Sequence, residues 1–289
     1  MRMFSGRSLG LTGFLALAVV AAVSVPAGAA PPSRGPSPLY PDIIEEVPHH
    51  LQVQNTQQRE YLRFSTTHMN IGAGNLQIRG TVTDQSACVD ENGDSYAQCT
   101  IATQEIFGSD GSIVETHDAG VAVFHPEHNH WHQSGVAEFT ISTGVDGQTP
   151  TGVQITGTKI TFCLIDVKWF GTGKTTGSDK KELPRNYFEC NSDLQGISVG
   201  WGDQYHQSTP LQELDITGLA TGIYYLTHLA DPANHWKEGP DERSAAENNN
   251  FTWVRFELTR DSAGNAKIAV LGDSGCVSHP AQCGFGGNP

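Results

Sequence analysis

Four of the chain's 12 histidines fall within ten residues, Phe124-His125-Pro126-Glu127-His128-Asn129-His130-Trp131-His132-Gln133. His128, His130 and His132 alternate strictly. In an extended strand, residues i, i+2 and i+4 point to one face, so this spacing lines up three imidazoles. Neutral imidazole ligates copper, zinc, iron and nickel, and metal ligation is a common use of clustered histidines. In a flat strand the outer two Cα atoms would lie roughly 13 Å apart, so a shared ion requires the strand to curve or bulge. Pro126 interrupts the alternation at His125, which is read as a supporting partner of the ligands. His206 and His228 are left without a role.

The elements that must carry these residues are strands. The chain has 32 glycines and 15 prolines, many in short clusters, which suits a turn-rich β protein. Strands are expected at Tyr61–Ser65 and Met69–Ile78. Ile101–Ile106 and Ser112–His117 should form a hairpin around Gly108-Ser109-Asp110-Gly111. Further strands are expected within Ala122–Ile141, Val153–Val167, Ile197–Tyr205, Leu211–Ile216, Ile223–Leu229 and Phe251–Leu258. Gly171–Arg185 and Asp231–Asn250 read as loops. Asp90-Glu91-Asn92-Gly93-Asp94 has the oxygens of a calcium loop but lacks the closing glutamate of an EF-hand, so a plain turn is favoured. No helix or internal repeat stands out. The fold class is all-β and β-sandwich-like with long loops.

Both ends of the chain have their own composition. Arg2 and Arg7, the apolar run Leu11–Val25 and the small-residue sequence Ala27-Gly28-Ala29 make residues 1–29 a secretory signal peptide. The run is short for a membrane anchor. Residues 30–48 are a proline-rich lead-in, residues 49–260 the main domain, and residues 261–289 a C-terminal tail. The whole chain carries a net charge of −14, from 17 basic and 31 acidic residues. Removing the signal takes two arginines and no acid. Such acidity argues against nucleic acid as a partner and favours encounter with cationic molecules. Six cysteines in an exported chain point to disulfides. Proximity suggests Cys88–Cys99, Cys163–Cys190 and Cys276–Cys283, although fifteen connectivities are possible.

Four motifs in order carry a family resemblance. His125, His128, His130 and His132 match H-x-x-H-x-H-x-H, followed by Glu138-Phe139. Lys159-Ile160-Thr161-Phe162-Cys163-Leu164-Ile165-Asp166 matches K-x-x-F-C-L-x-D. Cys190 is followed by Gln195-Gly196-Ile197-Ser198-Val199-Gly200-Trp201-Gly202-Asp203-Gln204-Tyr205. Leu214-Asp215-Ile216-Thr217 runs on through Gly222-Ile223-Tyr224-Tyr225-Leu226 to Asn249-Asn250. Over roughly Leu39–Leu258 the chain resembles the catalytic domain of the lysyl oxidases, copper- and quinone-dependent amine oxidases.

The resemblance implies copper on His128, His130 and His132, and a lysine tyrosylquinone built from Lys159 and Tyr205. Asp203 would be the catalytic base. Cys163 and Cys190 match two cysteines that the family joins. Asp42, Glu247, Asn249 and Asn250 would supply part of a calcium site. The implied reaction, in a secreted enzyme, is oxidative deamination of primary amines or peptidyl lysine by O₂, giving aldehyde, ammonia and hydrogen peroxide. The chain departs from animal members in the insert containing Trp169–Lys181, in Glu127 where they have cysteine, and in Gly202 where they often have tyrosine. Two other readings compete: a zinc hydrolase using three histidines, a water and Glu127 or Glu138 as base, and a copper-binding module without catalysis. Read alone, Lys159 is an ordinary strand lysine and Tyr205 a packing tyrosine.

Overall fold

The computed structural model describes residues 35–82, 88–90, 92–126, 129–171, 182–240 and 249–275. The signal peptide, Glu91, Glu127, His128, residues 172–181, Glu247, Cys276 and Cys283 lie outside the described residues. Among those described, every regular element is a strand, as the all-β reading expects. The strands are β1 (Pro38–Leu39), β2 (Ile43–Glu45), β3 (His49–Asn55), β4 (Glu60–Asn70), β5 (Leu76–Val82), β6 (Cys99–Gly108), β7 (Ile113–His125), β8 (His130–Gln133) and β9 (Ala137–Asp146). They continue with β10 (Thr149–Thr156), β11 (Lys168–Trp169), β12 (Leu194–Ile197), β13 (Trp201–Tyr205), β14 (Glu213–Asp215), β15 (Gly222–Ala230), β16 (Phe251–Arg260) and β17 (Ala266–Asp273).

They form three sheets. One runs β12-β5-β6-β7-β8, with β1 on β6; the second runs β10-β9-β15-β16-β17; the third runs β11-β13-β4-β14, with β2 and β3 also on β4. All three feed one apolar cluster. Ile78 and Ala102 come from the first sheet, Phe139, Ile141, Leu226 and Phe256 from the second, and Leu62, Phe64 and Leu214 from the third. Burying each such large side chain is worth about 1.5–3 kcal/mol. β16 shows the sequence logic directly. Thr252, Val254, Phe256 and Leu258 are buried while Trp253, Arg255, Glu257 and Thr259 are not, the period-2 pattern of a strand with one face on the core.

Several expected boundaries move. Tyr61–Ser65 and Met69–Ile78 were expected as separate strands, but β4 runs unbroken from Glu60 to Asn70. The break comes at Gly72 and Gly74 instead. Side chains there would collide with backbone atoms of Pro41, Asp42 and Leu39, so the glycines let the lead-in pass close by. β17 lies within the segment read as a tail and pairs with β16. At the Cys88–Cys99 loop, the Asp90 carboxylate accepts from the Asn92 and Asp94 N–H groups and from the Tyr96 hydroxyl. Its oxygens are thus engaged in an ordinary polar turn.

β4 departs most from an apolar core strand. From Phe64 onward it is buried on both faces, yet it carries Ser65, Thr66, Thr67, His68 and Asn70. Such a polar central strand is expensive unless its groups find partners, and it borders the candidate site.

Candidate active site

His125, His130 and His132 lie on two paired strands. β7 and β8 pair antiparallel with His125 opposite His130 and Val123 opposite His132. Asn129 adopts a left-handed φ of 55°, which asparagine tolerates better than most residues, and its N–H bonds the His125 carbonyl at 2.8 Å. The strand period sends His130 and His132 to one side. Their Nε2 atoms are 2.8 Å apart. Two nitrogens bound to one ion at about 2.0 Å, about 90° apart, have a spacing of about 2.8 Å, so the pair fits a shared metal. The Thr161 hydroxyl sits between His132 Nδ1, at 3.3 Å, and His125 Nε2, at 3.0 Å. A partner on the nitrogen away from the metal fixes a ligand's ring.

Lys159 does not sit in a strand. The expected strand over Val153–Val167 ends at Thr156; beyond it only an isolated bridge, Gln133 to Phe162, is formed. Backbone groups along this stretch go to several neighbours in turn. Gly157 N–H donates to the Phe139 carbonyl, the Ile160 carbonyl accepts from Val136, and the Leu164 carbonyl accepts from Gly196. A segment shared this way satisfies its polar groups without building a continuous ladder.

Tyr205 ends β13, whose pairing with β4 sets Asp203 opposite His68 and Tyr205 opposite Thr66. The Tyr205 hydroxyl accepts from the Cys163 N–H and donates to the Cys163 carbonyl, both at 2.9 Å. Phe162 meets the Tyr205 ring edge-on at 4.8 Å. The Lys159 Nζ lies 4.6 Å from the centroid of the Tyr205 ring and 4.7 Å from that of Phe162. A cavity of about 380 Å³ is lined by His130, His132, Lys159, Asp203 and Tyr205, with Cys163 and Cys190 also on its wall.

Burial governs the electrostatics. The Lys159 amine has no hydrogen-bond partner, and desolvation lowers its pKa to about 8, against the opposing attraction of Asp203. Burial pushes the Asp203 carboxyl well above its ordinary range; Lys159 opposes this, and Asp166 and Glu45 add to it. Its Oδ2 is also unpaired. Burial likewise raises the Tyr205 phenol well above 10, with Asp203 adding and the Cys163 backbone opposing.

The motif residues between these groups act as a frame. Gln195 accepts from the Leu164 N–H at 3.1 Å and donates to the Trp131 carbonyl at 3.1 Å, tying the lysine-bearing segment to the histidine strand. Asp166 accepts from Ser198 N–H and Oγ, both at 2.7 Å, and from Asn186 N–H at 2.9 Å. The disulfides Cys88–Cys99 and Cys163–Cys190 are formed.

The calcium residues that the resemblance implies meet only in part. Asn249 Nδ2 donates to Asp42 Oδ1 at 2.8 Å, and Asn250 Nδ2 to Glu238 Oε2 at 3.2 Å. The amide oxygens of Asn249 and Asn250 are buried without partners. Glu238, nearly fully buried, was missed in the sequence because it lies in a polar stretch with no periodicity. Also missed were Glu45 and His68, which join His228 in a buried cluster. A histidine at a core position of an otherwise β-prone strand was the available signal.

The lysyl oxidase family model matches residues 115–257. The chain belongs to the lysyl oxidase family. Among curated relatives, human lysyl oxidase homolog 3 is 31% identical over 111 residues, 38% of this chain and 13% of the relative. Human lysyl oxidase homolog 4 is 32% identical and Xenopus laevis lysyl oxidase homolog 2 is 28% identical over stretches of the same length. The chain therefore spans only about 13% of the length of these relatives. The lysyl oxidase match runs from β7 to β16 and contains His130, His132, Lys159, Asp203 and Tyr205; Asp42, Glu45 and His68 precede it.

Proposed function

We propose that this chain is a secreted copper amine oxidase that builds its own quinone from Lys159 and Tyr205 and oxidises primary amines or peptidyl lysine. The observation that carries the reading is the Lys159 amine 4.6 Å from the Tyr205 ring, in a cavity that His130, His132 and Asp203 also line. His130 and His132 would hold copper, with His128 as the third ligand; copper would supply the redox chemistry with O₂ that oxidises the Tyr205 ring. Once made, the quinone would supply the electrophile and two-electron sink that turn an amine and O₂ into aldehyde, ammonia and hydrogen peroxide.

The chain's own groups have definite tasks. Lys159 must present a neutral amine to the ring, and its burial keeps it closer to that state than an exposed lysine. Cys163 clamps the phenol by two hydrogen bonds, fixing the ring against Phe162. Asp203 is the candidate base, and its apolar surroundings lift a carboxylate towards the range useful for proton abstraction. The acidic surface would draw cationic amines to the cavity. Asp42, Glu238, Asn249 and Asn250 offer oxygens suited to calcium, with Glu247 as a further ligand. The disulfides suit an oxidising, extracellular setting.

Mass spectrometry of a digest of protein matured with copper tests the reading. A cross-linked peptide containing Lys159 and Tyr205, with amine-dependent peroxide release that Tyr205→Phe abolishes, is expected. Copper-loaded protein with both peptides unmodified would refute it. Zinc as the native metal, with no quinone absorption, would favour a hydrolase.

A further inference from the structure

A second cluster of metal-binding side chains lies outside the cavity. Glu45 on β2, His68 on β4 and His228 on β15 are all fully buried. One donor atom from each lies within 4.8 Å of the others. Glu45 Oε1 is 2.8 Å from His68 Nδ1, and Glu45 Oε2 is 2.8 Å from His228 Nε2. At the second contact both atoms are buried, and neither has a well-aligned hydrogen bond. Two lone-pair donors set side by side at that separation are what ligands of one cation look like. The walls are apolar. Phe139 stacks on His228 at 4.7 Å and Phe162 meets His68 edge-on at 5.4 Å. A buried carboxylate needs a compensating positive charge.

We propose that Glu45, His68 and His228 form a second, closed metal site that takes a divalent transition ion of the zinc class. Two imidazoles and a carboxylate able to offer both oxygens supply the four donors that structural zinc prefers. The site joins the third sheet, through β2 and β4, to the second, through β15. Phe162 separates it from Tyr205, since that ring contacts His68 and Tyr205 alike. None of its three residues lines the cavity. The site is independent of the oxidase reading, because it uses neither the copper histidines nor Lys159.

The test uses full-length protein stripped with chelator, then reloaded with zinc alone in excess calcium and counted by elemental analysis. A His130→Ala, His132→Ala variant is expected to keep one zinc per chain. Adding His228→Asn is expected to release it. A zinc-edge anomalous map of the His130→Ala, His132→Ala protein decides the matter even if the triple variant does not fold, with a peak expected between Glu45, His68 and His228. A His130→Ala, His132→Ala protein with no bound zinc would overturn the proposal. So would zinc retained after His228→Asn, or an anomalous peak elsewhere with none at the three residues.

Discussion

Replacing Lys159 with methionine should stabilise the copper-free protein while removing the amine on which the proposed quinone depends. The lysine amine is buried without a hydrogen-bond partner, and its pKa falls from 10.5 to about 8. At about 1.36 kcal/mol per pH unit, this corresponds to roughly 3 kcal/mol against folding when the lysine is charged. The folded-state pKa is below the unfolded one, so between about pH 8 and 10.5 the unfolded chain holds the extra proton. Stability therefore rises with pH across that window. The penalty is fully present below about pH 8 and gone above 10.5. Methionine keeps a long flexible stem against Phe162 and Tyr205 but forfeits the amine's attraction to the two rings, worth about 0.5–2 kcal/mol. The net gain expected at pH 7 is about 1–3 kcal/mol. Urea denaturation of copper-free wild type and Lys159→Met, at pH 7 and pH 10.5, measures it. Repeating both in an Asp203→Asn background removes the carboxylate that Lys159 faces. A variant no more stable than wild type at pH 7, or an advantage unchanged at pH 10.5, would refute the reasoning.

Asp203→Asn should fold and keep its metal but lose about 10²–10⁴-fold in turnover, read as peroxide release from a primary amine by quinone-containing enzyme. The rate of quinone formation after copper addition should climb as pH rises through about 8, because Lys159 must lose its proton; stopped addition of copper at several pH values, followed by absorbance, checks this, and a flat profile would count against a buried lysine as the nucleophile. Breaking Cys163–Cys190, which closes a sequence separation of 27 residues, by a paired serine substitution should cost about 3–4 kcal/mol in a denaturation curve.

The sequence was most informative where chemistry and periodicity coincide. Alternation alone sets the facing of His130 and His132, and the pattern from Phe251 to Leu258 reads directly as a one-sided strand. Lys159 and Tyr205 could not be paired by local reasoning, because 46 positions separate them and neither shows a pattern; the ordered motifs supplied that link. Lys159 was misjudged as a strand residue. The β-prone composition of Val153–Val167 says nothing about neighbours competing for its backbone groups, and those neighbours decide. Glu45 and Glu238 were invisible for a related reason, and His68 showed only as a histidine in a β-prone strand. Each is defined by residues distant in the chain, His228 for Glu45 and His68 and Asn250 for Glu238.

The Cys163–Cys190 bridge ties two tasks together. Cys163 grips the phenol of Tyr205, while the carbonyl of Cys190 receives the N–H of Trp131, midway between the two histidines. One sulfur–sulfur bond thus spans the workshop where the quinone would be assembled. In a thiol-rich compartment that brace would be missing, and the self-modification would have to wait until the chain reached oxidising surroundings. If the chain is the exported oxidase proposed above, export would then serve as the timer for maturation, keeping its chemistry from starting until it has left the cell that made it.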